Sequence, residues 1–206
     1  MKIKIEHTPK ISYKVAKMGG IPCLGLPVLT CRDDAPCKTS GKCYAMQGKY
    51  RTQSVKKGLM NNLLAYKENP SYFFEKLAID IMPSRYFRWF HSGDIVDDAF
   101  FEGMVKVARK CKGTKFLAYT KKFSIVNRYL DNGGKIPKNL KIVFSGWGAQ
   151  FKVLNPYGLP VTHVRLKDGD NSQIPEDALP CSGHCSNCFA CWKLTNGESV
   201  VFDEHH

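Results

Sequence analysis

Tyr86-Phe-Arg-Trp-Phe-His-Ser-Gly-Asp94 is the stretch whose reading decides the fold. An aromatic-rich run that stops at a tight Ser-Gly-Asp turn reads as a buried strand over residues 86–91. Asp97 can cap the helix that follows, whose apolar positions Phe101, Met104, Val105 and Ala108 fall at helical spacing, with Gly113 as its stop. The unit then recurs. Lys115–Thr120 reads as a strand, residues 123–132 as a helix ended by Gly133-Gly134, and Leu140–Ser145 as a strand. Residues 161–166 and 199–202 extend the series. Upstream, residues 21–29 are apolar and broken by prolines, as a short buried strand would be. Two helices follow, one capped by Thr52 or Ser54 and running to Asn69, the other ending before Pro83, with Pro70 as the break between them. In residues 1–20, Ile3, Ile5, Ile11, Tyr13 and Val15 suggest an edge hairpin.

Strand alternating with helix implies a parallel sheet with right-handed crossovers. Five or six strands are too few for a closed eight-stranded barrel. The expected fold class is therefore α/β, a partial (β/α) barrel in one domain over residues 1–206. The barrel would occupy about residues 21–170, with a cysteine-rich segment over residues 171–206. Such folds carry their chemistry at the C-terminal ends of the strands. Those positions are His91, Ser92, Gly93 and Asp94, then Thr120 and Lys121 with Lys122, then Ser145 with Gly146 and Trp147, then Lys167 and Asp168, and all should converge on one mouth. Trp147 and Phe151 are candidates to stack on a planar ligand, or simply to pack. Lys121-Lys122 also reads as a solvated pair, and His91 as a general base or a histidine satisfied by backbone.

Nine cysteines fall into two groups and two singletons. Cys31, Cys37 and Cys43 stand at even spacing on a loop rich in Pro, Gly, Asp and Lys, which reads as neither helix nor strand. Cys181, Cys185, Cys188 and Cys191 form a closely spaced quartet after the last main strand, expected at the same mouth. Cys23 and Cys111 sit in apolar surroundings and read as core thiols. The chain has no apolar run long enough to span a membrane, and its first residues lack the apolar centre of a signal peptide. That favours a cytoplasmic setting, in a bacterium or a phage-infected host, where clustered cysteines ligate metal rather than pair. The formal charge of +13, from 31 basic and 18 acidic residues, permits a polyanion such as nucleic acid as partner, and thiolate ligation would offset part of it.

Several segments are similar to a family of phage and bacterial proteins filed under the mycobacteriophage gene product eighty-eight. They are Thr30-Cys-Arg-Asp-Asp-Ala-Pro-Cys37, Cys43-Tyr-Ala45, Arg88-Trp-Phe-His-Ser-Gly-Asp-Ile95, Phe116-Leu-Ala-Tyr-Thr-Lys-Lys122, Ile142-Val-Phe-Ser145 and Gly197-Glu-Ser-Val-Val-Phe202. The resemblance spans about residues 21–202. More distantly, the order of parts resembles radical S-adenosylmethionine enzymes, in which three cysteines after the first strand hold a four-iron cluster with one iron open. In those enzymes a Gly-Gly-Glu-like turn after the second strand holds the cofactor's amino group. Here Ser92-Gly93-Asp94 stands in that place, with Asp for Glu, and the trio is spaced Cys-x5-Cys-x5-Cys instead of Cys-x3-Cys-x2-Cys.

These observations lead to an expected iron–sulfur protein with two four-iron clusters, one on the trio and one on the quartet. It would be a redox protein or a radical-enzyme-like enzyme, with S-adenosylmethionine as the cofactor that the distant resemblance implies. A small molecule or an electron-transfer partner would meet the open iron. The alternative is a zinc-stabilised protein of phage origin that binds nucleic acid or a host protein, since four closely spaced cysteines are also a common zinc arrangement.

Overall fold

The computed structural model describes residues 6–204. Its centre is a six-stranded, all-parallel sheet in the order β1-β2-β3-β4-β6-β5. The strands are β1 (Tyr86–Trp89), β2 (Lys115–Thr120), β3 (Leu140–Ser145), β4 (Val161–Arg165), β5 (Leu179–Pro180) and β6 (Ser199–Asp203). Beyond β1, residues 22–26 run alongside it in the same direction. Arg88 N–H donates to Pro22 O at 3.0 Å, Leu24 N–H to Arg88 O at 3.0 Å, and Leu26 N–H to Ser92 O at 2.9 Å. The strand expected over residues 21–29 is thus present as a short ladder, cut off where Pro27 removes a donor. The N-terminal hairpin reduces to one antiparallel bridge, Ser12 to Cys23; Ile3 and Ile5 lie outside the described residues.

The helices follow the expected breaks, with changes of detail. Within the cysteine loop, Pro36–Thr39 forms a single helical turn, α1, started by Pro36 at its first position. Pro70 separates α2 (Gln53–Glu68) from α3 (Pro70–Ile81) by opening the second helix, and the Asn69 side chain accepts from Tyr72 N–H at 3.0 Å. Thr52 does precede α2, but its hydroxyl turns back to Lys49 O and caps nothing. Asp97 caps α4 (Asp98–Lys110) through Phe100 N–H at 2.8 Å. That helix closes before Gly113, on Cys111, whose N–H donates to Val107 O. α5 covers Phe123–Asp131, and a last short turn, α6, covers Cys185–Cys188.

The sheet has two unlike faces, because side chains alternate along each strand. Phe87, Trp89, Phe116, Ala118, Ile142 and Phe144 point to the face covered by α2 to α5, where Tyr66, Phe73, Phe74 and Phe100 pack edge to face. On the other face, Leu117, Val143 and Val200 pack against Met18, Ile21, Trp192 and Leu194, so the cysteine-rich segment is this face's cover. No described helix is long and apolar enough to cross a membrane.

Candidate functional site

The trio stands at the C-terminal edge of the sheet, tied there by Asp94. This carboxylate is 5% exposed and accepts three hydrogen bonds, from Thr120 O–H at 2.6 Å, Ile95 N–H at 2.8 Å and Lys121 N–H at 2.9 Å. Its own N–H donates to the Thr30 hydroxyl at 2.9 Å, the residue before Cys31. Lys121 Nζ continues the chain to Ser145 Oγ at 2.7 Å. Asp94, Thr120, Lys121 and Ser145 therefore do meet at one mouth, as the strand-end reading requires. Gly93 makes the turn possible: its φ is +76°, and a Cβ there would stand 2.6 Å from Leu26 O. Burial raises the Asp94 pKa, with its three donors working against that rise.

The trio's thiols interact with one another. The Cys43 thiol donates to Cys37, which lowers the Cys37 pKa, helped by the Lys121 ammonium, while Cys43 itself is pushed up. Burial drives Cys31 up to about 12, with the Asp94 and Cys37 charges acting the same way. The loop thus holds one thiolate-prone sulfur facing a lysine and two thiols that keep their protons.

His91 and Ser92 turn away from this cluster. His91 Nδ1 lies 3.0 Å from Tyr50 Oη, which also donates to the His91 carbonyl at 2.9 Å; Tyr44 donates to the same carbonyl at 3.1 Å. Either Tyr50 Oη or His91 Nδ1 can donate in the first pair, and that choice sets the ring's tautomer. Nε2 faces Gly25, where a Cβ would come within 2.3 Å of it. Burial first, and Arg88 second, lower the His91 pKa to about 4. Ser92 Oγ is sealed from solvent without a partner.

The quartet lies elsewhere than expected. Instead of sharing the mouth, it covers the sheet face opposite the helices. After β5, Cys181 N–H donates to Val201 O at 2.9 Å, and the chain folds back until Phe189, at φ +52°, stacks on Tyr86, the first residue of β1, at 4.3 Å. Trp192 Nε1 then donates to Phe87 O at 3.3 Å. The apolar demand of this otherwise uncovered face, which Phe189, Trp192 and Leu194 meet, explains the placement. The Tyr119 hydroxyl donates to Cys191, whose pKa burial raises to about 11. Cys185 is raised by burial and by Cys181 and Cys188, and lowered by Arg88. Cys23, raised to about 12 by burial, lies in electrostatic reach of Cys185, while Cys111 is core, its thiol directed to Ala78 O at 3.4 Å.

Arg88 is the residue that the sequence reading passed over. It projects from β1 on the opposite side from Phe87 and Trp89, toward Tyr119, Tyr44, Cys185 and Cys23. Its guanidinium lies 4.8 Å over the Tyr119 ring, and NH1 reaches only Met18 Sδ at 3.5 Å. Nε is sealed from solvent and has no partner. Burial opposes its charge, but Tyr119, Tyr44, Cys185 and Cys23 outweigh it and hold the guanidinium above its ordinary pKa. No carboxylate pairs with it among the described residues. A cation in the middle of an aromatic strand was the available signal.

Among the described residues no three His, Cys, Asp or Glu side chains are arranged around a single metal ion. One zinc ion, with Zn–S of about 2.3 Å, would draw all its sulfurs to one point, whereas an iron–sulfur cluster takes one thiolate at each iron. The chemistry of the donors fits a thiolate-bound group: three mutually sensing sulfurs, two of them in electrostatic reach of Lys121, and a quartet of which Cys185 and Cys191 feel Arg88.

With the geometry in hand, the family model described as Gene product 88 matches residues 3–193. The chain belongs to that family. The match takes in the trio, the Asp94 turn, Arg88 and the whole quartet, so the Gene product 88 family model spans both cysteine groups. No curated protein and no solved structure matches the chain.

Proposed function

We propose that this Gene product 88 family member is an iron–sulfur redox protein, with one cluster on Cys31, Cys37 and Cys43 and a second on Cys181, Cys185, Cys188 and Cys191. The observation that carries the reading is Arg88. A guanidinium cannot give up its proton, and an inward-facing charge without a counter-anion is costly. The groups facing Arg88 are cysteines and tyrosines, so the natural counter-charge is thiolate, the form that cysteine takes as a metal ligand. A bound cluster would supply one-electron transfer. At the trio, three cysteines leave a fourth iron for a non-protein ligand, and S-adenosylmethionine is the ligand that the radical-enzyme resemblance suggests.

On this reading the sheet is a partial (β/α) barrel, supported by helices gathered on one face and the cysteine segment on the other. Asp94 has a demanding place in it: three of its acceptor positions already hold the strand ends together, so at most one lone pair faces a ligand's ammonium group. Lys121 would steady the Cys37 thiolate, and Tyr119 that of Cys191.

The test is anaerobic purification with iron, sulfide and zinc analysis, together with the absorbance near roughly 400 nm that clusters give. Iron and sulfide in equal amounts, falling by about half in Cys37→Ser and again in Cys185→Ser, is the expected result. A colourless protein carrying zinc alone would overturn it and favour the zinc-stabilised, nucleic-acid-binding alternative. Paramagnetic resonance of the reduced protein with and without S-adenosylmethionine reads the open iron, and an unchanged spectrum removes that cofactor.

A further inference from the structure

The strand starts lie at the edge of the sheet opposite Asp94, and three loops are laced together there. Lys115 N–H donates to Arg85 O at 2.9 Å and the Thr114 hydroxyl to Ser84 O at 2.7 Å, which joins the approach to β2 to the approach to β1. Phe116 N–H donates to Asn139 O at 2.7 Å, and the Asn139 side-chain amide donates to Ala108 O, Cys111 O and Thr114 O, which joins the approach to β3 to the end of α4. Arg109 closes the seam on Lys135 O at 3.1 Å. Six exposed cations border it: Arg85 before β1, Lys110 and Lys112 at the end of α4, Lys115 at the start of β2, and Lys135 and Lys138 before β3. None of the six has an ion-pair partner among the described residues. The segments that meet there, residues 81–86, 109–116 and 132–140, contain no Asp or Glu. Scattered along the sequence, these cations are gathered by the parallel pairing of β1 to β3.

We infer that this edge docks a nucleic-acid duplex through its phosphates, without reading its sequence. Unpaired cations on one rigid frame concentrate positive potential, and each phosphate that they neutralise releases counterions held by the duplex. Five of the six are lysines. Lysine is a compact point charge that suits phosphate oxygens, and it is depleted at protein–protein interfaces. Met82, 51% exposed, is the exposed large apolar residue of these segments, too little for the apolar core that an acidic protein partner would need. A single strand would need open rings to stack on. Tyr86, the ring that lies at this edge, is already stacked on Phe189 at 4.3 Å, with Arg85 and Lys115 placed 5.7 and 6.0 Å over it. The edge stands away from Cys31, Cys37 and Cys43, and the contact needs no metal at the cysteines.

Fluorescence anisotropy of a labelled DNA duplex of mixed sequence, titrated with the full chain as purified, is the direct test. Unlabelled duplex, a single strand of the same length and poly-glutamate serve as competitors. The slope of log K against log salt should be steeper than about −2.7, three phosphates at about 0.9 each, which is roughly a fortyfold loss between about 50 and 200 mM salt. Lys112→Gln with Lys138→Gln should flatten the slope by about 1.8 and weaken binding at low salt by about tenfold or more. Lys110→Gln with Lys135→Gln should do the same. Lys56→Gln with Lys57→Gln removes an equal charge from exposed positions on α2 and should change the affinity by less than about twofold. Circular dichroism checks that each variant folds. An unchanged slope in both edge pairs, an equal loss from the α2 pair, or a single strand or poly-glutamate that competes better than unlabelled duplex would each overturn the assignment. Because anisotropy reads DNA and not iron, its failure leaves the iron and sulfide analysis standing, and the converse holds.

Discussion

Acid should unfold this protein through His91. The ring is 9% exposed, and its pKa falls from an ordinary 6.5 to about 4 because burial, and then Arg88, disfavour the imidazolium. The unfolded chain therefore binds a proton that the folded chain refuses. Stability from this group is fully present above the unfolded pKa of 6.5, declines as the pH falls toward 4, and levels off below that. A depression of about 2.5 units, at about 1.36 kcal/mol each, gives a total of about 3.4 kcal/mol. Between pH 7.5 and pH 4.5 about 2.5 kcal/mol of it is lost. The assay is urea unfolding of the protein and of His91→Gln at those two pH values, with metal content matched. Glutamine keeps a donor for Tyr50 without titrating, so the wild type should lose about 2–3 kcal/mol more than the variant on acidification. Equal losses in the two proteins would refute the reasoning, because they would show that the imidazolium is tolerated where Arg88 and the surrounding core should exclude it.

Three further outcomes are expected. Gly103→Ala should destabilise by roughly 1–2 kcal/mol in spite of alanine's better helix propensity, because the new methyl would stand 2.1 Å from the Phe74 ring; adding Phe74→Leu should recover most of the loss in thermal unfolding. Asp94→Asn should cost roughly 2–3 kcal/mol in chemical denaturation, since an amide nitrogen must then face a donor, whereas Thr120→Val should cost only about 1 kcal/mol. Arg88→Met should lower iron retained through dialysis at the quartet while raising the stability of metal-free protein, and a variant that keeps full iron would detach Arg88 from the cysteine chemistry.

Much of the frame was legible in the sequence. β2 and β3 begin and end where their aromatic and β-branched runs do, and Asp97 marks a helix start by side-chain capping, whereas Asn69, read as a helix end, also caps α3. The convergence of Asp94, Thr120, Lys121 and Ser145 followed from their shared place at parallel strand ends. What stayed hidden depended on tertiary packing. β5 is two residues, one of them proline, and exists only because β6 offers it a ladder. The quartet's position could not be read from chain order, because it answers to the apolar surface of Leu117, Val143 and Val200, which belong to three different strands. Arg88 was passed over because strand periodicity says that a residue faces away from the helices, without saying whether that side meets water or another layer of protein.

The seating of β6 has a mechanical side. This strand sits between β4 and β5, so the quartet belongs to a loop that leaves one strand and returns as its immediate neighbour. A change of state at the sulfurs, such as oxidation, pulls on both ends of that loop at once. If β5 and β6 let go, β4 becomes a bare edge along Thr162 and His163, while β1 to β3, clamped by α2 to α5, keep their pairing. The molecule therefore divides into a half that endures and a half that reports. Amide exchange along β4 and β6 would register the condition of cysteines that those strands do not themselves contain.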